Sequence, residues 1–160
     1  MATENKNLSQ YDKSELPDVS YFSIGLVVSE WNPEITENLF IGAYEALLDC
    51  GVKEESILRY NVPGSFELPF GCKKMIVSKS VDVVIAIGSV IRGETSHFDY
   101  VCGATAQGIM NLNVQTDVPV IFCVLTDNTI EQSRARSGGK HGNKGTEAAI
   151  AALKMAILNR

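Results

Sequence analysis

Four apolar runs recur along the chain: "YFSIGLVV" (21–28), "SILRYNV" (56–62), "VDVVIAIGSV" (81–90) and "VPVIFCVLT" (118–126). Strands of this continuous kind, rather than alternating ones, need a sheet covered on both faces. Between the runs the period lengthens to that of a helix. Ile35, Leu39, Ala43 and Leu47 form one stripe that stops before Gly51. Leu68, Cys72, Met75 and Ile76 form a second, with Ser65 placed to cap it and Pro69 near its first turn, where a missing N–H costs little. A third carries Phe98, Val101, Cys102, Thr105, Ile109 and Leu112. After the fourth run come a short helix near 129–135, the glycine-rich "SGGKHGNKG" and an alanine-rich helix from about Thr146 to Leu158. Strand–helix–strand crossovers are right-handed and make the strands parallel. The expectation is a single-domain α/β chain over 21–160, a doubly wound parallel sheet in a flavodoxin-like three-layer α/β/α sandwich. Residues 1–20 are polar and aperiodic, and are expected to form an N-terminal arm rather than part of the core, either disordered or ordered only against a partner.

Charge and cysteine usage remove several classes of function. Fourteen basic against nineteen acidic residues leave a net charge of −5, which argues against a duplex-coating nucleic-acid binder. The four cysteines form no C-x-x-C pair and only two histidines are present, so no zinc spacing can be drawn and no metal is expected. The N-terminus has no apolar signal region and no window reaches the length of a membrane span. The expectation is a cytoplasmic protein with reduced thiols and no membrane partner.

Ligands of such sheets bind outside the carboxyl ends of the strands. Those ends read Ser29-Glu30-Trp31-Asn32, Asn61-Val62-Pro63-Gly64-Ser65-Phe66-Glu67 and Ser89-Val90-Ile91-Arg92-Gly93-Glu94-Thr95-Ser96-His97. An aromatic, a carboxylate and a histidine thus fall along one edge, whereas the amino ends carry only ordinary turn residues. Gly93 permits a tight turn or a close approach to a ligand. Glu94, Thr95 and Ser96 are expected at a helix start, where unpaired N–H groups and the dipole favour an anion; a capped, solvated first turn is the plainer alternative. His97 offers an imidazole, the side chain suited to proton transfer in either direction, or else it faces solvent. Trp31, the sole tryptophan, is either a core plug or a flat wall for a heterocycle. Glu67 either accepts hydrogen bonds from a polyol or amine or complements its helix start. "RARSGGKHGNKG" holds Arg134, Arg136, Lys140 and Lys144 but is no P-loop, and one arginine fork could complete an anion site. Cys102 falls on an apolar stripe and reads as core.

Taken in order, "VPGSFELP", "IGSVIRGETSHFDYV", "VPVIFCVLT", "EQS…R" and "SGGKHGNKGTEAA" resemble the 6,7-dimethyl-8-ribityllumazine synthase family, from about Phe22 to Leu158. The resemblance implies condensation of 5-amino-6-(D-ribitylamino)uracil with 3,4-dihydroxy-2-butanone 4-phosphate to the lumazine, phosphate and water, without cofactor or metal. It implies that Trp31 stacks on the pyrimidine, and that Ser65, Phe66, Glu67, Ser89, Val90 and Ile91 hold the pyrimidine and its ribityl chain. Phe122 is implied to cover the ring from a neighbouring subunit. Glu94, Thr95 and Arg136 are implied to bind phosphate, with Lys144 nearby, and His97 to carry protons. Two positions depart from the family: Trp31 stands where phenylalanine is usual, and Cys123 replaces a common glycine.

Family members are homopentamers, and in some twelve pentamers close an icosahedral shell, with riboflavin synthase as a possible associate. The short connector before the last helix resembles that of the shell-forming members. Two other functions remain open on the sequence. A non-catalytic flavin or phosphosugar carrier of the same fold is separated by a two-substrate product assay. A structural shell protein, whose role is compatible with catalysis, is tested by light scattering.

Overall fold

The protein is described over residues 7–160 in a computed structural model. Strand β1 (Ile24–Ser29) leads through helix α1 (Pro33–Asp49) to β2 (Ile57–Val62), and α2 (Leu68–Ser78) leads to β3 (Val83–Ile91). Helix α3 (His97–Gln115) then precedes β4 (Val120–Asp127), followed by α4 (Ile130–Arg136), the short strands β5 (Ser137–Gly139) and β6 (Gly142–Asn143), and α5 (Lys144–Leu158). The main sheet is parallel, in the order β2-β1-β3-β4. Successive connections leave β1 on opposite sides, which is the doubly wound, flavodoxin-like arrangement.

Period-2 alternation divides the sheet's side chains between two cores. Ile24, Leu26 and Val28 of β1 and Val83, Ile85 and Ile87 of β3 face Ile35, Leu39, Ala43 and Leu47 of α1 and Ala149, Ala152 and Leu153 of α5. Val27, Val84, Ala86 and Val124 face Leu68, Cys72 and Met75 of α2 and Ile109 and Leu112 of α3. The stripe read in α1 is wholly buried, and the helix stops as expected, before Gly51 at φ 101°. Each fully buried Leu or Ile side chain contributes ~1.5–3 kcal/mol of transfer free energy, so these two layers dominate the fold.

Two local expectations need correction. Continuous burial holds for β1 and most of β3 but not for β2, whose residues are partly or fully exposed before Val62, nor for Ile121, Phe122 and Thr126 of β4. Those two strands are the edges of the sheet, each paired with a neighbouring strand on one side only. Ser65 does not cap α2: a 3-10 turn over Ser65–Glu67 intervenes, Glu67 holds the cap position without a side-chain bond, and Ser65 Oγ is buried without a partner. Pro69 sits within the first two positions of α2 and has no N–H, so a cap there has one fewer donor to satisfy.

The polar N-terminal segment, of which residues 1–6 lie outside the described residues, is laid on its own chain from residue 7 onward. Val19 is 1% exposed within the α1/α5 core, and Tyr11 and Leu16 pack against it. Tyr11 Oη and Lys13 Nζ both donate to Asp49 at 2.8 Å. Burial, then the Asp49 hydrogen bond, pushes the Tyr11 hydroxyl up to about 12. Leu8 N–H donates to His141 O at 2.8 Å and Asn143 N–H to Ser9 Oγ at 2.9 Å. The glycine-rich segment is therefore an anchored hairpin. Its turns need glycine: Gly138 and Gly142 have φ of 111° and 82°.

Candidate active site

A cleft of about 670 Å³ opens at the carboxyl ends of β1, β2 and β3, where the strand order reverses. Its walls bring together Trp31, Ser65, Phe66, Glu67, Ser89, Val90, Ile91, Thr95 and His97, all picked out in the sequence. Trp31 is 71% exposed and Phe66 60%, so neither is a core plug; both offer open ring faces. Ser65 and Ser89 are buried, and their hydroxyl oxygens lie beneath the surface without hydrogen-bond partners.

Backbone bonds beyond the strand ends carry the frame. Glu30 N–H donates to Val62 O at 2.8 Å and Trp31 N–H to Pro63 O at 3.1 Å, extending the pairing of β1 with β2 into the loop. On the far side, the buried Thr105 hydroxyl lies 3.0 Å from Ser65 O and 2.7 Å from Val101 O, tying the Ser65–Glu67 turn to α3. Gly88 lets that turn approach β3, since a Cβ there would stand 2.6 Å from Ser65 Oγ.

The corner between β3 and α3 differs from its expected form. His97 is the first residue of α3, so Glu94 and Thr95 precede the helix instead of forming its first turn. Ser96 holds the cap position without a side-chain bond, and the His97 N–H reaches Thr95 Oγ1 only at 3.4 Å. Arg92 closes the corner from outside: its Nη2 lies 2.9 Å from Asp99 Oδ1, its Nε donates to Asn128 Oδ1 at 3.1 Å, and its guanidinium sits 4.1 Å from the Phe98 ring centre. A charge so engaged is not free for a ligand.

Four residues expected at or near the site do not line the cleft. Glu94 is exposed beside it. Phe122 lies on the edge strand β4, 37% exposed. Arg136 ends α4 and donates from Nη1 to Gln132 O at 3.0 Å. Lys144 is paired with Glu147 at 2.9 Å. In the other direction, the cleft includes Pro63, Gly64, Phe98, Tyr100 and Val101, which had no site role in the sequence. Tyr100, 76% exposed, stands three residues after His97 on the same helical face, and that spacing is the signal for it. Cys102, read as core, is only partly buried, while Cys72 and Cys123 are fully enclosed.

No group of three metal-ligating side chains occurs among the described residues, and no described helix is long and apolar enough to cross a membrane. The cleft thus offers a flat aromatic wall, strand-end backbone, a carboxylate, a glycine-bearing corner at a helix start, and an imidazole. Such a set can hold a planar heterocycle beside an anionic group and move protons between them.

Comparison with known proteins places these features in one family. The family model described as 6,7-dimethyl-8-ribityllumazine synthase matches residues 21–160. A protein of that name from Christiangramia forsetii is 66% identical over 161 residues, covering 100% of this chain and 96% of the relative. Its namesake from Flavobacterium johnsoniae is 64% identical over 160 residues, covering 100% of this chain and 84% of the relative. Another from Parabacteroides distasonis is 53% identical, with 97% of each chain covered. By its fold, its cleft and these full-length similarities, the chain belongs to the 6,7-dimethyl-8-ribityllumazine synthase family.

Proposed function

We propose that this chain condenses 5-amino-6-(D-ribitylamino)uracil with 3,4-dihydroxy-2-butanone 4-phosphate to give 6,7-dimethyl-8-ribityllumazine, phosphate and water, a step of riboflavin biosynthesis. The observation that carries this is the single cleft in which Trp31, Glu67, Thr95 and His97 meet, in a chain similar along its whole length to lumazine synthases. The pyrimidine lies against the Trp31 indole, between it and the Ser89–Ile91 strand end. Phe66 and Glu67 take the ribityl side, Glu67 as acceptor for its hydroxyls. The butanone phosphate lies at the Gly93–Ser96 corner, with Thr95 and the N–H groups that open α3 facing its phosphate.

The uracil's 5-amino nitrogen attacks the ketone carbon, and a proton moves from nitrogen to the carbonyl oxygen to give a carbinolamine. Loss of water forms the imine. Removal of the proton from the neighbouring hydroxyl-bearing carbon then expels phosphate and leaves an enol, which takes up a proton at its terminal carbon to become a ketone. The ribityl-bearing nitrogen closes the ring on that ketone with loss of a second water. His97, within reach of both substrates, accepts and returns the protons. Such transfers are worth ~10²–10⁴ in rate, and holding two substrates in register contributes at least as much.

The test is a two-substrate assay that follows lumazine fluorescence in wild type and His97→Ala. Wild type forms product, and the variant keeps measurable activity with kcat lowered by roughly 10². An unchanged kcat removes His97 from the mechanism; no product from wild type supports the carrier reading instead.

The same proposal includes a homopentamer in which Phe122 and Arg136 of one protomer complete the cleft of the next. It is supported by their position off the cleft of their own chain. Closure of twelve pentamers into a shell rests on the short connector at Ser137–Asn143. A reducing, cytoplasmic setting is supported by four free thiols.

A further inference from the structure

Asn32 is the one non-glycine residue with positive φ among the described residues, at φ 59° and ψ 56°. It holds the cap position of α1, where an asparagine side chain ordinarily accepts from the first helical N–H groups. Here it makes no capping bond. Its Nδ2 instead donates to Ser89 O at 3.0 Å, across to the end of β3. The loop that carries Trp31 is therefore bonded to the second strand's end through Trp31 N–H and Pro63 O, and to the third through Asn32. The indole itself is left open, at 71% exposure.

We propose that Asn32 is a positioning residue for the pyrimidine slot. Its carboxamide, held by the left-handed backbone, fixes the separation between the indole face and the Ser89–Ile91 backbone at the width of one planar ring. Two unfavourable features, a left-handed L-residue and an uncapped helix start, meet at this residue, and one long-range bond explains both. Aspartate tolerates the same backbone but cannot donate to a carbonyl when ionised, so the bond requires the amide. The inference rests on the assignment of Trp31 as the wall of the pyrimidine site.

Two variants test it. Asn32→Gly keeps the positive φ without strain and removes the donor. Asn32→Asp keeps the shape and sets a carboxylate oxygen against the Ser89 carbonyl. Because Trp31 is the sole tryptophan, indole fluorescence anisotropy reports its mobility directly. Both variants are expected to raise KM for the ribitylaminouracil roughly tenfold, to leave KM for the butanone phosphate within about twofold, and to depolarise Trp31 faster in the resting enzyme. Unchanged anisotropy with unchanged KM overturns the proposal, as does an equal rise in both KM values. Should Asn32→Gly fail to fold, Asn32→Asp alone gives the same readouts. Trp31→Ala separates the two levels. If it leaves the pyrimidine KM unchanged, the wall itself is wrong; if it raises that KM while the Asn32 variants do not, only the positioning role fails.

Discussion

Cys72 and Cys123 illustrate how far burial alone alters a side chain's chemistry. Each thiol is pushed up to about 12 from an ordinary value of 9.0, chiefly because a thiolate inside either core has no water and no adequate counter-charge. Half-buried Cys50 and Cys102 are raised as well, by burial first and then by Asp49 and Asp99 respectively. With an aromatic disulfide reagent at about pH 8, Cys72 and Cys123 should stay unmodified until the protein is unfolded, and Cys50 and Cys102 should react slowly. Rapid modification of Cys72 or Cys123 in the native state would contradict their placement. The same shifts set an alkaline limit. A folded-state value above the unfolded one means the stabilisation is whole below pH 9 and is lost as pH rises toward 12. Tyr11, raised from 10.0 to about 12, acts in the same direction. The melting temperature should therefore fall steadily above about pH 9, and a flat profile up to pH 11 would refute the burial account.

At the scale of elements, α1 and α5 pack so closely that one glycine decides the distance. A Cβ at Gly145 would collide with the carbonyl oxygen of Leu39, a backbone atom that cannot rotate away. Alanine's advantage over glycine in a helix is ~1 kcal/mol at most, and an overpacked core costs ~1–3 kcal/mol, so the collision wins. Gly145→Ala should lower the melting temperature by several degrees, about 2–4 °C per kcal/mol for a chain of this size. A variant that melts with wild type would mean the helices can separate freely. Elements of this kind differ in how much of them the sequence reveals. The stripe Ile35–Leu39–Ala43–Leu47 and the β1 and β3 runs are legible because burial on a fixed period leaves few other solutions. That β2 and β4 are edges is invisible, since strand order depends on which connections cross, not on any one segment's composition. The Ser137–Asn143 hairpin is equally hidden: its register depends on Leu8 and Ser9, more than a hundred positions away in the chain. The cleft was largely readable from the strand ends because polar residues gather there against an apolar background. The role of Asn32 is hidden in the sequence, since its partner is a backbone carbonyl and leaves no trace in residue type.

On the whole molecule, the distribution of site residues sets a condition for activity. Trp31 and His97 line the cleft, while Phe122 and Arg136 of the same chain do not. In the proposed pentamer each protomer lends the latter pair to one neighbour and borrows them from the other, as a head-to-tail ring requires. Damage to the two halves should then complement. Trp31→Ala/His97→Ala chains and Arg136→Ala chains, each weak alone, should regain activity when unfolded together and reassembled in equal amounts. Random mixing leaves about one cleft in four with neither lesion, so the mixture should approach a quarter of wild-type activity and show the wild-type KM for the butanone phosphate at those clefts. If Arg136 instead swings into the cleft of its own chain, every cleft keeps one lesion whatever the mixture. Activity would then stay at the mean of the two separate preparations, and the shared site would be excluded even if the particle itself were pentameric.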